Sequence, residues 1–463
     1  MTRSLADSRA AANRARALFD QVHPLGEQLL QRLCVGELAD LELDRWVAGE
    51  EHRDFRVDVD RARASCERVG WPAEQIASCS FSSALESGGT FLTDNAEALI
   101  KADGLEVLIE ATGDPAAGIR HCLKSIDHGR HIIMVNVEAD VVAGPLLARK
   151  AEEASLVYSL AYGDQPALIC EQVDWARTAG FEVVSAGKGT RYHPDFHHST
   201  PDTVWPNFGL SLEQAERGSM NPKMFNSFID GTKSGIEMTA VCNATGLTPQ
   251  PGGLNFPPAS IYELAEVCKP VAAGGQVSHK GTTEVVSSIQ RDWQPVENHL
   301  QMGTFVVVKA GSEYVQNCFE DYHMMPDSTY EYASLYRPIH MIGLELGISV
   351  ASAALRGEAT GAATGFRSDV IATAKRQLKA GEILDGEGGH CIWGRQMPAR
   401  RSLEIGGLPL GLSNKVKLKR DISEGVQLTW DDVDIDESDH AVLVRREMEA
   451  AFARPNEHVR AAE

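Results

Sequence analysis

The sequence predicts an α/β chain in three parts: a helix-covered parallel sheet, an α+β centre, and a small β-rich end. Three observations predict it. Fully apolar short runs alternate with helical stretches between about residues 57 and 160. Isolated strand-like runs and a long polar-striped helix occupy 166–360. A glycine-punctuated pattern that occurs twice follows residue 366. At 463 residues the chain exceeds what one compact core holds, and we set the boundaries at 1–165, 166–360 and 366–440.

The first part rests on three apolar runs. Leu105–Ala111 is broken by Thr112-Gly113-Asp114-Pro115 and followed by a helical stretch, Ala116 to His128. His131–Val137 is followed by a helix from Gly144 to Ala154, and Leu156–Leu160 closes the series. Apolar strands separated by helices mean a parallel sheet buried on both faces, the wound half of a Rossmann-like domain. Ligands of such sheets sit beyond the carboxyl ends of the strands. Thr112, Gly113 and Asp114 end one strand, and the cluster Asn136 to Asp140, including Glu138, ends the next. Either cluster alone reads equally well as ordinary turn chemistry; consecutive strand ends together favour a cofactor cleft. A dinucleotide site should also open with a G-x-G-x-x-G turn, whose backbone N–H groups meet a pyrophosphate at a helix N-terminus. Residues 1–56 hold no such motif: Gly26, Gly36 and Gly49 stand apart, and Leu33–Gly36 is the one strand-like scrap. Asp58-Val59-Asp60 is a weak candidate for a second strand end, placing a carboxylate near a ribose.

Charge narrows the partners. Forty-four basic against 65 acidic side chains give −21, a surface that repels phosphate backbones and anionic lipids. No nucleic-acid or membrane partner is therefore expected. No run reaches the roughly 18 apolar residues of a membrane span, and the charged, alanine-rich N-terminus is no secretory signal. Nine scattered cysteines without a C-x-x-C pair read as small buried hydrophobes in a reducing compartment, so a cytoplasmic location is expected.

In the centre, Asn221-Pro222 marks a helix start and Gly246 its end. On one helix from Pro222 to Thr245, the residues Asn226, Asp230, Lys233 and Glu237 fall within roughly 60° of one another. Phe225, Phe228, Ile229, Ile236 and Val241 flank that stripe, which points to a cleft; a salt-bridged solvent face is the bland alternative. Ala186–Thr190 (AGKGT) ends the strand-like run Phe181–Ala186 and offers Lys188 between glycines to an anion or carbonyl, or as a plain turn lysine. Tyr162 to Pro166 follows the preceding strand, presents Asp164 and Gln165, and opens a helix. His193, His197 and His198 lack zinc-site spacing and read as a surface loop. In the last part, Ala374–Gly381 and Leu418–Gly425 look like one duplicated unit, Gly357–Gly365 like a linker, and Val444–Ala453 like a charged helix or tail.

With these segments in view, the run from Leu105 to about Arg446 resembles the homoserine-dehydrogenase-like proteins that include deoxyxylulose-phosphate-reductoisomerase-like enzymes. The stretches that carry the resemblance are EATGDPAAGI, MVNVEAD, YSLAYGDQPALICE, AGKGT, STPDTVW, MFNSFIDGTKSGIEM, YRPIHMIGLELGISVASAALRGE and LKRDISEG. The resemblance implies an NAD(P)-binding domain, a substrate and dimerisation domain, a C-terminal SAF-type module and a homo-oligomer. It also implies NADPH or NADH as cofactor, with a divalent metal as an option, and a small phosphorylated or polyol substrate. The activity implied is reduction, with rearrangement, of 1-deoxy-D-xylulose 5-phosphate. Another small-molecule NAD(P)-dependent dehydrogenase is the alternative, and a non-catalytic binding protein with a degraded cofactor loop is a third. In this reading Lys188, Asp230, Lys233, Glu237 and Asn226 are catalytic. Thr112, Gly113, Asp114, Asn136 and Glu138 hold the cofactor, and Asp164, Gln165, Arg337 and His340 meet the substrate. Two departures stand out: Asn136 is followed by Val137 where homoserine dehydrogenases carry a lysine, and the glycine-rich turn is missing. Without that turn NADPH should bind at least about a hundredfold more weakly, roughly 3 kcal/mol.

Overall fold

The computed structural model describes residues 59–217 and 220–453. The expected first strand, the glycine-poor segment 20–56 and the N-terminal helix therefore lie outside the described residues. Val59 and Asp60 begin a helix, Val59–Arg68, and so do not end a strand.

Strands β1 (Val107–Glu110), β2 (His131–Met134) and β3 (Tyr158–Leu160) form a parallel sheet in that order. Helix α1 (Pro115–Asp127) starts where the Asp114 carboxylate accepts the Ala117 N–H at 2.6 Å and Pro115 fills the first turn. Helix α2 (Val137–Glu153) starts seven residues before the expected Gly144. Asn136 caps the Ala139 N–H at 3.0 Å, so the 136–140 cluster is a helix N-terminus. Gly144 sits within the helix beside Asp140; a Cβ there would lie 2.3 Å from the carboxylate.

Helix α3 (Gln165–Thr178) leads into β4 (Glu182–Thr190), the longest described strand. It is joined by β5 (Thr282–Ser287), β6 (Thr304–Lys309), β7 (Met325–Pro326) and β8 (Tyr332–Arg337) in a mixed sheet of order β5-β4-β6-β8-β7. Only the β4–β5 pair is parallel. The AGKGT segment is therefore strand interior and no exposed turn. Its glycines answer to crowding: a Cβ on Gly187 would sit 1.7 Å from the Glu284 carbonyl oxygen, and one on Gly189 2.0 Å from that of Leu300.

The helix expected from Pro222 to Thr245 is two helices. Helix α4 (Pro222–Ile229) ends at Asp230, Gly231 turns through φ +93°, and α5 (Thr232–Thr245) starts afresh. No side chain but glycine takes that dihedral cheaply. Helix α5 is buried along almost its whole length and touches α2, α3 and β5. It is the hub that joins both sheets.

Beyond it, β9 (Ser368–Ala374) pairs antiparallel with β11 (Ile392–Pro398), while β10 (Ile383–Asp385), β12 (Asn414–Leu418) and β13 (Val433–Asp434) form a second small sheet. The duplicated segments meet face to face: Leu378 and Ile422 donate to each other's carbonyls at 2.9 and 3.0 Å. They are mostly turns joined by that isolated bridge, not the basic strands expected. Val444–Ala453 is no free tail. It belongs to α6 (His440–Phe452), which packs on α1 and α2. Arg445 within it is wholly buried and bonds the Asp369 carboxylate and the Val142 carbonyl. One hydrophobic core thus runs from Ile119 and Ile132 through Leu146 to Leu384, Leu408 and Met448. The expected linker 357–365 is also built in: Thr360 N–H donates to Ser159 Oγ at 3.0 Å, and Leu160 N–H to the Gly361 carbonyl at 2.7 Å.

Candidate active site

At the carboxyl end of β1, Glu110 is buried, and its Oε1 accepts the Thr112 N–H at 3.3 Å. Its Oε2 meets no hydrogen-bond partner among the described residues. Asn136 Nδ2 donates to Thr112 Oγ1 (3.2 Å) and to the Asp114 carbonyl (2.9 Å), which locks the two strand ends together. Gly113 has φ +65°, and nothing lies within 4 Å of where its Cβ would be. The sequence-predicted cofactor residues are therefore adjacent, though Asp114 and Asn136 direct side-chain oxygens to helix caps. Glu138 leaves the first turn of α2 toward α5 and forms an ion pair with Lys233.

The second cluster surrounds Lys188. Strand alternation turns Lys188 toward α5, where its ammonium pairs with the Glu237 carboxylate and donates to Gln165 Oε1 at 2.9 Å. Gln165 opens α3, its own backbone N–H held by Asp164 Oδ1 at 2.8 Å, and its Nε2 lies 3.4 Å from His340 Nδ1. Lys188 and Glu237 are both under a tenth exposed. Burial, and next the Glu237 charge, push the Asp164 carboxyl up to about 6, against the pull of Lys233 and His340. Burial alone would lower the Lys233 ammonium; the Glu138 carboxylate, followed by Glu387, Glu237 and Asp164, outweighs it and holds the lysine above its usual range. Lys233 and Glu237 stand four residues apart on α5, one facing the β2 end and the other Lys188. The two clusters are one polar seam.

Not every predicted residue joins it. Arg337 pairs with Glu345 and donates to Tyr162 Oη at 3.3 Å, behind the Gly163 turn. Asn226 and Asp230 leave the stripe because the helix breaks at Gly231. Asn226 Nδ2 donates to the carbonyls of Ser199 (3.0 Å) and Gly388 (2.9 Å). Asp230 holds Lys375 at 2.8 Å, both fully buried. The histidines are not the surface loop expected. His193 is buried and stacks on Trp293, and His197 stacks on Trp393 while its Nδ1 lies 2.7 Å from the Asp230 carbonyl; only His198 is exposed. No group of three or more His, Cys, Asp or Glu side chains among the described residues is placed to hold a metal ion, so nothing supports the divalent metal. Sequence reasoning missed Glu110, Lys375 and Glu387. The last sits among three glycines in Gly386–Gly389, a setting with no periodicity to mark it.

The family model described as "Oxidoreductase DRL, catalytic domain" matches residues 163–346, from the turn before α3 to beyond β8. The chain is an oxidoreductase. No curated protein matches it significantly. Among solved structures, a candidate oxidoreductase of Bacteroides fragilis is 11% identical, with 62% of this chain and 82% of that chain covered and a TM-score of 0.26. An oxidoreductase of Bacillus cereus gives 10%, 61%, 80% and 0.24. Biliverdin reductase of Synechocystis, solved with biliverdin and NADP+, gives 16%, 24%, 35% and 0.18. These likenesses are slight, and the oxidoreductase assignment comes from the family match. No helix among the described residues is long and apolar enough to cross a membrane.

Proposed function

We propose that the chain interconverts a carbonyl and an alcohol on a small polar molecule, with NADPH or NADH as the redox partner. The observation that carries this reading is the seam from the β2 end through Lys233 and Glu237 to Lys188. It sets a paired ammonium beside an empty-backed strand-end turn. The residues fit a nicotinamide: the turn at Thr112–Gly113 is open above its backbone, and Glu110 Oε2 is a buried acceptor without a partner among the described residues. Thr112, Gly113, Asn136 and Glu138 would hold that end of the cofactor, which supplies the hydride when bound. Lys188 and Gln165 orient the substrate oxygen, and the Lys188 ammonium stabilises negative charge that develops on it. Asp164 and Glu237 fix Gln165 and Lys188 in place. On the resemblance described above, the C-terminal unit is proposed to be an SAF-type module.

Rearrangement of 1-deoxy-D-xylulose 5-phosphate is the finer reading that the same resemblance suggests. Lys188 and Lys233 both already carry carboxylate partners, so this geometry favours a plain redox step over capture of a phosphate ester. Purified protein assayed with NADPH and NADH against phosphorylated and unphosphorylated ketoses, aldoses and hydroxy acids tests the proposal. Nicotinamide-linked turnover with a member of the panel is expected. Calorimetry that detects neither nucleotide at millimolar concentration, together with no turnover, would overturn it.

A further inference from the structure

The loop that leaves β8 is pressed against the start of α3. A Cβ on Gly163, where φ is +95°, would lie 2.7 Å from the Met341 carbonyl oxygen, and one on Gly303, just before β6, would lie 2.1 Å from that of Arg337. Glycine alone allows these approaches. Glu345 fixes the loop from within: its carboxylate pairs with Arg337 and accepts the Met341 N–H at 3.2 Å. Arg337 Nε donates to the Ile339 carbonyl at 3.1 Å. His340 stands between these anchors, and the loop carries it to Gln165.

The hydrogen bonds around that ring settle where its hydrogens sit. His340 Nδ1 lies 2.8 Å from the Met302 carbonyl oxygen. A carbonyl can only accept, so Nδ1 bears a hydrogen. Gln165 turns its Oε1 to the Lys188 ammonium at 2.9 Å, and its Nε2 stands 3.4 Å from His340 Nδ1. A nitrogen that already bears a hydrogen cannot accept another, so the Gln165 amide N–H is unspent. His340 Nε2 is unspent as well: it has no partner among the described residues. A donor, an ammonium and a free ring nitrogen thus stand together, within about one ring's width of Gln165. The charged groups around the ring are Asp164 at the head of α3, with Lys233 and Glu237 behind it on α5. Lys188 lies across Gln165, and Arg337 and Glu345 share the loop. The ring is only partly buried, so a proton it loses is replaced from solvent.

We propose that His340 is a catalytic residue whose Nε2 passes a proton to and from the substrate oxygen held by Lys188 and Gln165. The proposal rests on the carbonyl–alcohol reading above. As the carbonyl carbon takes up a hydride from reduced nicotinamide, which is thereby oxidised, the C=O π pair moves onto oxygen. The Nε2–H bond of the doubly protonated ring breaks, its electron pair stays on nitrogen, and the O–H bond of the alcohol forms. Nδ1 keeps its hydrogen on the Met302 carbonyl throughout. Oxidation of the alcohol runs the same exchange backwards. Reduction needs the imidazolium and slows as pH rises through the titration of the ring; oxidation needs the neutral ring and slows as pH falls.

His340→Asn tests this, because asparagine keeps a side-chain N–H near the place of Nδ1 and has nothing at the place of Nε2. Two measurements apply to wild type and variant: nitrogen NMR of histidine-labelled protein across pH 5 to 9, and pH–rate profiles with thermal melting. In wild type the ring signals that vanish in H340N should show hydrogen on Nδ1 and titration at Nε2. The variant should melt within a few degrees of wild type, lose roughly a hundredfold or more in kcat at little change in KM, and lose the limb on which reduction falls with pH. Asp164 also titrates near 6, so loss of the limb in H340N is what assigns it to the ring. Hydrogen on Nε2 with a bare Nδ1 overturns the proposal, as does a variant with the limb intact and kcat within threefold. If wild type reduces nothing on the panel, the carbonyl–alcohol reading fails by itself. The NMR then still decides whether Nε2 is the nitrogen that takes up and releases the proton.

Discussion

Lys188 shows how one residue reads differently in sequence and in space. Between two glycines it looked like an accessible turn lysine; in the sheet it is a buried strand residue whose ammonium meets Glu237 and Gln165. Removing one partner of a buried pair leaves the other uncompensated, at a cost of about 3 kcal/mol or more. Lys188→Met should therefore lower stability by that amount in urea unfolding and abolish turnover. Adding Glu237→Gln should restore most of the stability and none of the activity. A single variant less than 1 kcal/mol below wild type would mean that the pair behaves as an exposed one. The polar identities of Lys188, Gln165 and Glu237 were legible because each stands in an unusual local context. Glu387 was not recognised, because a lone glutamate among glycines has no periodicity.

Among the elements, the α4–α5 break decides which stripe residues share a site. Helical spacing grouped Asn226, Asp230, Lys233 and Glu237, and only the last two stayed together. The sequence held the clue at Gly231, a residue that costs about 1 kcal/mol within a helix. The dihedral of +93° shows a helix end, and a Cβ there would meet His197 at 3.1 Å. Gly231→Ala should cost about 1–2 kcal/mol, from left-handed strain and that contact. Chemical denaturation with an unchanged midpoint would contradict the break. Strands were easier than helix ends: β1, β2 and β3 fall within the apolar runs that predicted them, since continuous burial writes itself into composition. The early start of α2 was hidden by Gly144-Pro145, where tertiary packing overrides local propensity.

At the scale of the molecule, residues from Ile119 to Met448 share one hydrophobic core. The small-residue segment 357–365 has the composition of a hinge, yet its backbone bonds extend the edge of β3, and a Cβ on Gly361 would lie 3.0 Å from Cys170 Sγ. Composition reports flexibility only where no neighbour supplies hydrogen bonds. Limited proteolysis under native conditions should leave 357–365 intact. Early cleavage there, with both fragments remaining folded, would show that the segment is a true linker.

Helix α6 adds a consequence in time. Its Met448 and Arg445 seal the core over α1 and α2, so the parallel sheet cannot finish packing until residues 440–452 have left the ribosome. During synthesis that sheet must wait, part of its apolar helix surface uncovered, while the whole mixed sheet is made and folded. Contacts between segments so remote in sequence are slow to form and leave intermediates open to aggregation. Chaperone demand in the cell should thus be set by the emergence of α6.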